Sequence, residues 1–110
     1  MIRVDAVWLA VQPLDMRAGP EAALARVVAV FGAAHPNHAY LVANRRANRM
    51  KVRVHDGIGV WLAARRLNAG KFVWPAGADG TLRLTRPQFD ALVLGLPWQR
   101  IGDAGIIRVI

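Results

Sequence analysis

Seven consecutive residues, 49–55, alternate without a break. Arg49, Lys51, Arg53 and His55 fall on one side, and Met50, Val52 and Val54 on the other. Only a strand repeats every two residues, and a strand apolar on one side must lay that side on a core. A chain holding this segment has to build a sheet with one covered face and one cationic face. Asp56-Gly57 follows directly and signals a hairpin into a second strand carrying Trp61 and Leu62. Two loop lengths come into question. A two-residue loop pairs Val54 with Gly59 and Lys51 with Leu62, placing apolar side chains among the cations. A three-residue loop, His55-Asp56-Gly57, pairs Val54 with Ile58, Val52 with Val60 and Met50 with Leu62, so every inward residue meets another. On hydrophobic matching the three-residue loop is expected. Its outward face would set Trp61 among Arg49, Lys51, Arg53 and Arg65.

The remaining segments follow the same reasoning. Residues 5–12 form a short apolar run closed by Pro13. Gly19-Pro20 opens a helix whose Leu24, Val27, Val28 and Phe31 share one side. Residues 39–45 read as a strand, as do 71–74, ended by Pro75, and 81–85. Thr85 with Gln88 three residues on forms a capping box for a last helix over 86–96. With 110 residues, no repeats and no linker, the chain is expected to be one α+β domain. A central antiparallel sheet of about five to six strands would carry two helices.

Composition removes several activities. There is no cysteine and no serine, which excludes disulfides, thiolate chemistry, zinc ribbons and serine nucleophiles. The seven acidic residues are scattered, several beside turn glycines, so a converging carboxylate set for Mg²⁺ is not expected. His35 and His38 flank a Pro-Asn turn without a third ligand nearby. No catalytic residue, metal or cofactor is expected. The apolar run near the N-terminus is only six residues long, and the longest charge-free stretch is broken by Gly32 and Pro36. No membrane segment is expected, and a cytoplasmic protein is the default.

The charge is localised. Arg45, Arg46, Arg49, Lys51, Arg53, Arg65, Arg66 and Lys71 sit in one 27-residue stretch with a single acid, Asp56, giving that stretch +7. The other 83 residues hold seven basic and six acidic groups, a net +1. Like charges in register repel unless a polyanion is present, and arginine contacts phosphate through two parallel bonds. This block, with Trp61 as a base-stacking surface, is the candidate nucleic-acid-binding site.

The order of motifs carries a resemblance. Leu14-Asp15-Met16-Arg17 with Gly19, then Asn44-Arg45-Arg46 with Arg49, Met50 and Lys51, then Asp56-Gly57 with Gly59 and Trp61-Leu62 come in sequence. Arg65-Arg66-Leu67 with Gly70, Phe72, Trp74 and Pro75 completes the set. The string resembles the TnpB accessory proteins of the insertion-sequence-sixty-six family, which are not the RNA-guided nuclease sharing that name. The resemblance spans about residues 5–100, so residues 1–110 read as a single TnpB-like accessory domain. Members of the family often carry a basic residue where this chain has Ala18. The resemblance implies a bacterial mobile-element protein working beside a separate transposase that carries the catalytic carboxylates. A non-catalytic accessory factor binding DNA is expected, with an adaptor docking an acidic face of the transposase as the alternative. Arg17 could extend the cationic surface. Alternatively, Asp15 caps the turn into the first helix and Arg17 anchors it by an ion pair, and this structural role is favoured for the motif of Asp15, Arg17 and Gly19. Asp56 and Gly57 are likewise expected to be structural.

Overall fold

The computed structural model describes residues 3–14, 32, 35–76 and 80–101. Five strands form one sheet: β1 (Ala6–Ala10), β2 (His38–Ala43), β3 (Arg49–His55), β4 (Val60–Arg66) and β5 (Thr81–Leu84). Their spatial order is β4-β3-β2-β1-β5. The alternating segment is a strand over the residues its periodicity marks out. The expectation of an antiparallel sheet is corrected in one place: β1 and β2 run parallel, with Trp8 opposite Tyr40 and Leu9 opposite Leu41, so the sheet is mixed. Parallel neighbours need a long crossover. The chain between them, residues 11–37, contains the stretch expected to be helical after Gly19-Pro20. That helix, together with Asp15, Arg17 and Gly19, lies outside the described residues.

One face of the sheet holds Val7, Leu9, Ala39, Leu41, Met50, Val54 and Leu84, buried against Ala91 and Leu92 of helix α1 (Arg86–Val93). Thr85 caps α1 through a complete capping box: its hydroxyl accepts from the Gln88 N–H, and the Gln88 side chain accepts from the Thr85 N–H. The helix stops before the expected residue 96. Gly95 adopts φ 76°, its N–H donates to the Leu92 carbonyl, and the Leu96 N–H donates to the Ala91 carbonyl. Those two bonds close a Schellman end, which needs a left-handed residue at the glycine.

Residues 71–74 are not a strand, contrary to expectation. Phe72 is buried, and its N–H donates to the Ala47 carbonyl. The Trp74 indole donates to the Ala10 carbonyl, and the Trp98 indole to the Val73 carbonyl. The segment is held by side-chain anchors and loop contacts in place of a ladder. Trp98 opens a short 3-10 turn, Trp98–Arg100, and is itself buried in the core.

The β3–β4 register also differs from the expected one. His55 pairs with Val60, Val54 with Trp61, Val52 with Ala63 and Met50 with Arg65, leaving a four-residue loop over 56–59. The Asp56 carboxylate accepts from the N–H groups of Ile58 and Gly59, and the Asp56 N–H donates to the Gly59 carbonyl. Gly57 takes φ 87°. These local bonds shift the register by three residues from the one hydrophobic matching implies, and an odd shift exchanges the faces of β4. Matching has little force here because every residue of β4 is exposed. In consequence Trp61 lies on the face of Met50, Val52 and Val54, with Arg65 but away from Arg49, Lys51 and Arg53.

Candidate nucleic-acid interface

Asn44 organises the cationic end of the sheet. Its side-chain oxygen accepts from the N–H groups of Asn48 and Arg49, both at 3.1 Å, and its amide nitrogen donates to Asn48 Oδ1 at 2.6 Å. The Ala47 N–H returns to the Asn44 carbonyl, with Ala47 in the left-handed region at φ 55°. The asparagine thus serves backbone donors that a tight β2–β3 connection would otherwise leave unpaired. This loop is tied to the one after β4: the Leu67 N–H donates to the Asn48 carbonyl, and the Phe72 N–H to the Ala47 carbonyl at 2.7 Å.

The outcome is a cationic corner whose two loops are joined through their backbones. Arg45 and Arg46 occupy the first loop, Arg49 starts β3, Arg66 ends β4, and Lys71 precedes the buried anchor Phe72. All five are exposed. Arg49 stands directly opposite Arg66 in the ladder. Among the described residues no carboxylate pairs with any of the five; the ion pairs there are Arg3–Asp5 and Arg86–Asp90. Two arginines facing each other across a strand pair repel.

The other expected site residues lie elsewhere. Lys51 is half-buried, opposite Val42 and Ala64. Arg53 is 8% exposed, opposite Tyr40, with Nη1 3.5 Å from His55 Nδ1. Arg65 is on the helix side of the sheet, and its Nε donates to the Val93 carbonyl at 2.6 Å. A cation on the last carbonyls of α1 also complements the helix dipole. Trp61, 51% exposed, shares that side. Asp56 and Gly57 form the far loop of the hairpin, where the two backbone donors hold the Asp56 carboxyl below its ordinary value. The nine expected contacts are therefore divided between two faces and one end.

A second polar group, not anticipated from the sequence, lies on the face opposite α1. The Trp8 indole donates to His38 Nδ1 at 3.1 Å, and Arg83 sits 5.7 Å from the centre of the Trp8 ring. The His35 N–H donates to the Tyr40 hydroxyl at 2.6 Å, and the His35 and His38 rings are 5.2 Å apart. Burial first, then His35, pushes the His38 pKa down, so its ring stays neutral with Nδ1 free to accept from Trp8. The parallel β1–β2 pairing brings Trp8 beside His38 and Tyr40, and the antiparallel β1–β5 pairing brings Arg83 beside Trp8, so the group forms only when distant segments pair. Among the described residues no three His, Asp or Glu side chains are placed to hold a metal ion, and no helix there is long and apolar enough to cross a membrane.

No solved structure matches this chain. Two proteins of Sinorhizobium fredii (strain NBRC 101917 / NGR234) are similar to it. The one described as uncharacterized protein y4jC is 31% identical over 96 residues, covering 86% of this chain and 82% of its own. Uncharacterized protein y4hO is 32% identical over 95 residues, covering 84% and 82%. The family model described as IS66 Orf2 like protein matches residues 5–103, which span β1, the cationic corner and α1. With nearly the whole chain matched, the protein belongs to the IS66 Orf2-like family, an accessory family associated with insertion-sequence transposition.

Proposed function

We propose that this protein is a non-catalytic transposition factor that binds nucleic acid through the corner formed by Arg45, Arg46, Arg49, Arg66 and Lys71. The observation that carries this reading is the corner itself. Five exposed cations sit on two loops and the strand ends beside them, the loops tied to each other by backbone hydrogen bonds, without a carboxylate partner among the described residues. A solvated surface with no anion to meet would gain from separating Arg49 and Arg66. The fold instead holds them face to face. Arginines on a held backbone contact phosphates through two parallel bonds and contribute affinity without base readout.

Salt dependence tests the reading. Five phosphate contacts give a log-affinity against log-salt slope of about −4.5 on duplex DNA. Replacing Arg45, Arg46 and Arg49 by Gln removes three of them and should flatten the slope to about −1.8. The Arg65→Gln variant, whose guanidinium is held on the other side of the sheet, should leave the slope near the wild-type value. An unchanged slope in the triple variant refutes the assignment. A transposase that stays bound through the corner after nuclease digestion would move the surface from nucleic acid to an acidic protein face.

A further inference from the structure

Among the described residues β4 is one edge of the sheet, and all seven of its residues are exposed, while β3 beside it is largely covered. An open edge with apolar side chains is a template for another strand, and proteins blunt such edges with charge, proline or cover. This edge has charge only at Arg65 and Arg66. Val60, Trp61 and Leu62 are 57%, 51% and 46% exposed, and no ionisable group lies between Val60 and Ala64.

The ladder shows which backbone groups face outward. The Leu67 N–H donates to Asn48, and the Gly59 carbonyl accepts from Asp56. Bonded and non-bonded positions alternate, so residues 61, 63 and 65 also turn their backbone groups toward β3. Val60, Leu62, Ala64 and Arg66 turn theirs to the free edge.

We propose that two copies of this chain join antiparallel along β4, about a twofold axis at Ala63, into one continuous ten-stranded sheet. In that register all seven residues overlap. Val60 bonds with Arg66 of the second copy, and Leu62 with Ala64, using the outward backbone groups. Trp61 then faces Arg65 of the second copy in a non-bonded pair, where side chains approach most closely and a guanidinium can lie over an indole. No arginine meets an arginine, whereas parallel pairing would set Arg65 and Arg66 beside their copies.

The helix side of the sheet supplies a matching space. A groove of about 410 Å³ lined by Met50, Val52, Ala63, Arg65, Phe89 and Val93 opens there. Trp61 of the second copy stands diagonal to Ala63 on this side, so its ring closes the groove mouth. A strand from a different protein would satisfy the same backbone groups, but the side chains of β4 complement their own sequence.

The chain contains no cysteine, which permits a clean test by single substitution. Across the twofold axis the two Ala63 Cα atoms form a non-bonded pair about 4.5 Å apart, within disulfide range. Ala63→Cys in the full chain should oxidise to a linked dimer of twice the 12.0 kDa mass. Leu62→Cys, offset by two positions from its copy, should remain unlinked under the same mild oxidation. Leu62→Pro removes only an outward N–H, so it should halve the mass seen by light scattering at micromolar concentration while keeping the far-ultraviolet spectrum. A monomeric wild type, a dimer untouched by Leu62→Pro, or equal cross-linking at both positions overturns the proposal.

Discussion

Single residues decide the chemistry of both polar groups on this sheet. Asn44 spends its side chain on the N–H groups of Asn48 and Arg49, and so sets where Arg45 and Arg46 emerge. The Asn-Arg-Arg run is visible in the sequence as charge, but the asparagine's role is not, because its partners are backbone atoms fixed by the strand pairing on either side. His38 shows the same dependence. Its depressed pKa means the folded protein binds a proton less readily than the unfolded chain, whose value is 6.5. By linkage, stability from this group is present above pH 6.5 and is lost as pH falls from there through the folded value. In a pH titration followed by NMR, His38 should titrate below 6.5. Arg83→Gln should raise its midpoint, because the Arg83 charge disfavours protonation. An unmoved midpoint would remove Arg83 from the group's electrostatics.

At the scale of elements, the signals that act within a few residues were the most legible. The period-two pattern of residues 49–55 marks β3, and the Thr85 to Gln88 capping box marks the start of α1. The end of α1 depends on Gly95, where a left-handed backbone and a neighbour coincide. A Cβ there would stand 3.2 Å from Leu67 Cδ1. Gly95→Ala should therefore destabilise the protein by about 1 kcal/mol or somewhat more, read as a lower urea midpoint with an unchanged slope. No change would mean that the helix end contributes little to the core. The hairpin after β3 was less legible. Asp56-Gly57 announces a turn, but loop length was decided by Asp56 accepting from Ile58 and Gly59. With β4 exposed along its length, burial did not oppose that choice.

For the whole molecule, charge and topology are coupled. Lys51, Arg53 and Arg65 are next to the cationic corner in sequence, yet the sheet turns them to its faces and leaves Arg45, Arg46, Arg49, Arg66 and Lys71 at one end. In the proposed β4-joined pair these corners fall at opposite ends of the shared strands, so two cationic ends belong to one sheet. Concentrated like charge also carries a stability cost for the free protein. Arg49→Gln should raise its unfolding free energy by about 0.2–1 kcal/mol at low salt, with the gain vanishing near 1 M salt. Nucleic-acid affinity should fall in the same variant. Equal stability of the two proteins at low salt would show that the corner is not under electrostatic load.

What the sequence by itself determined is local: one α+β domain, the strand at 49–55, the capped helix, and a +7 block on an otherwise nearly neutral chain. These follow from side-chain period, capping chemistry and counting, which need no distant partner. Only the tertiary structure decided that β1 and β2 lie parallel, that Trp61 faces away from Arg49 and Lys51, and which five cations share a corner. A strand's pattern says which of its own side chains share a face. Which strands become neighbours, and in what register, is settled by contacts far apart in the chain and by the hydrogen bonds that close each loop.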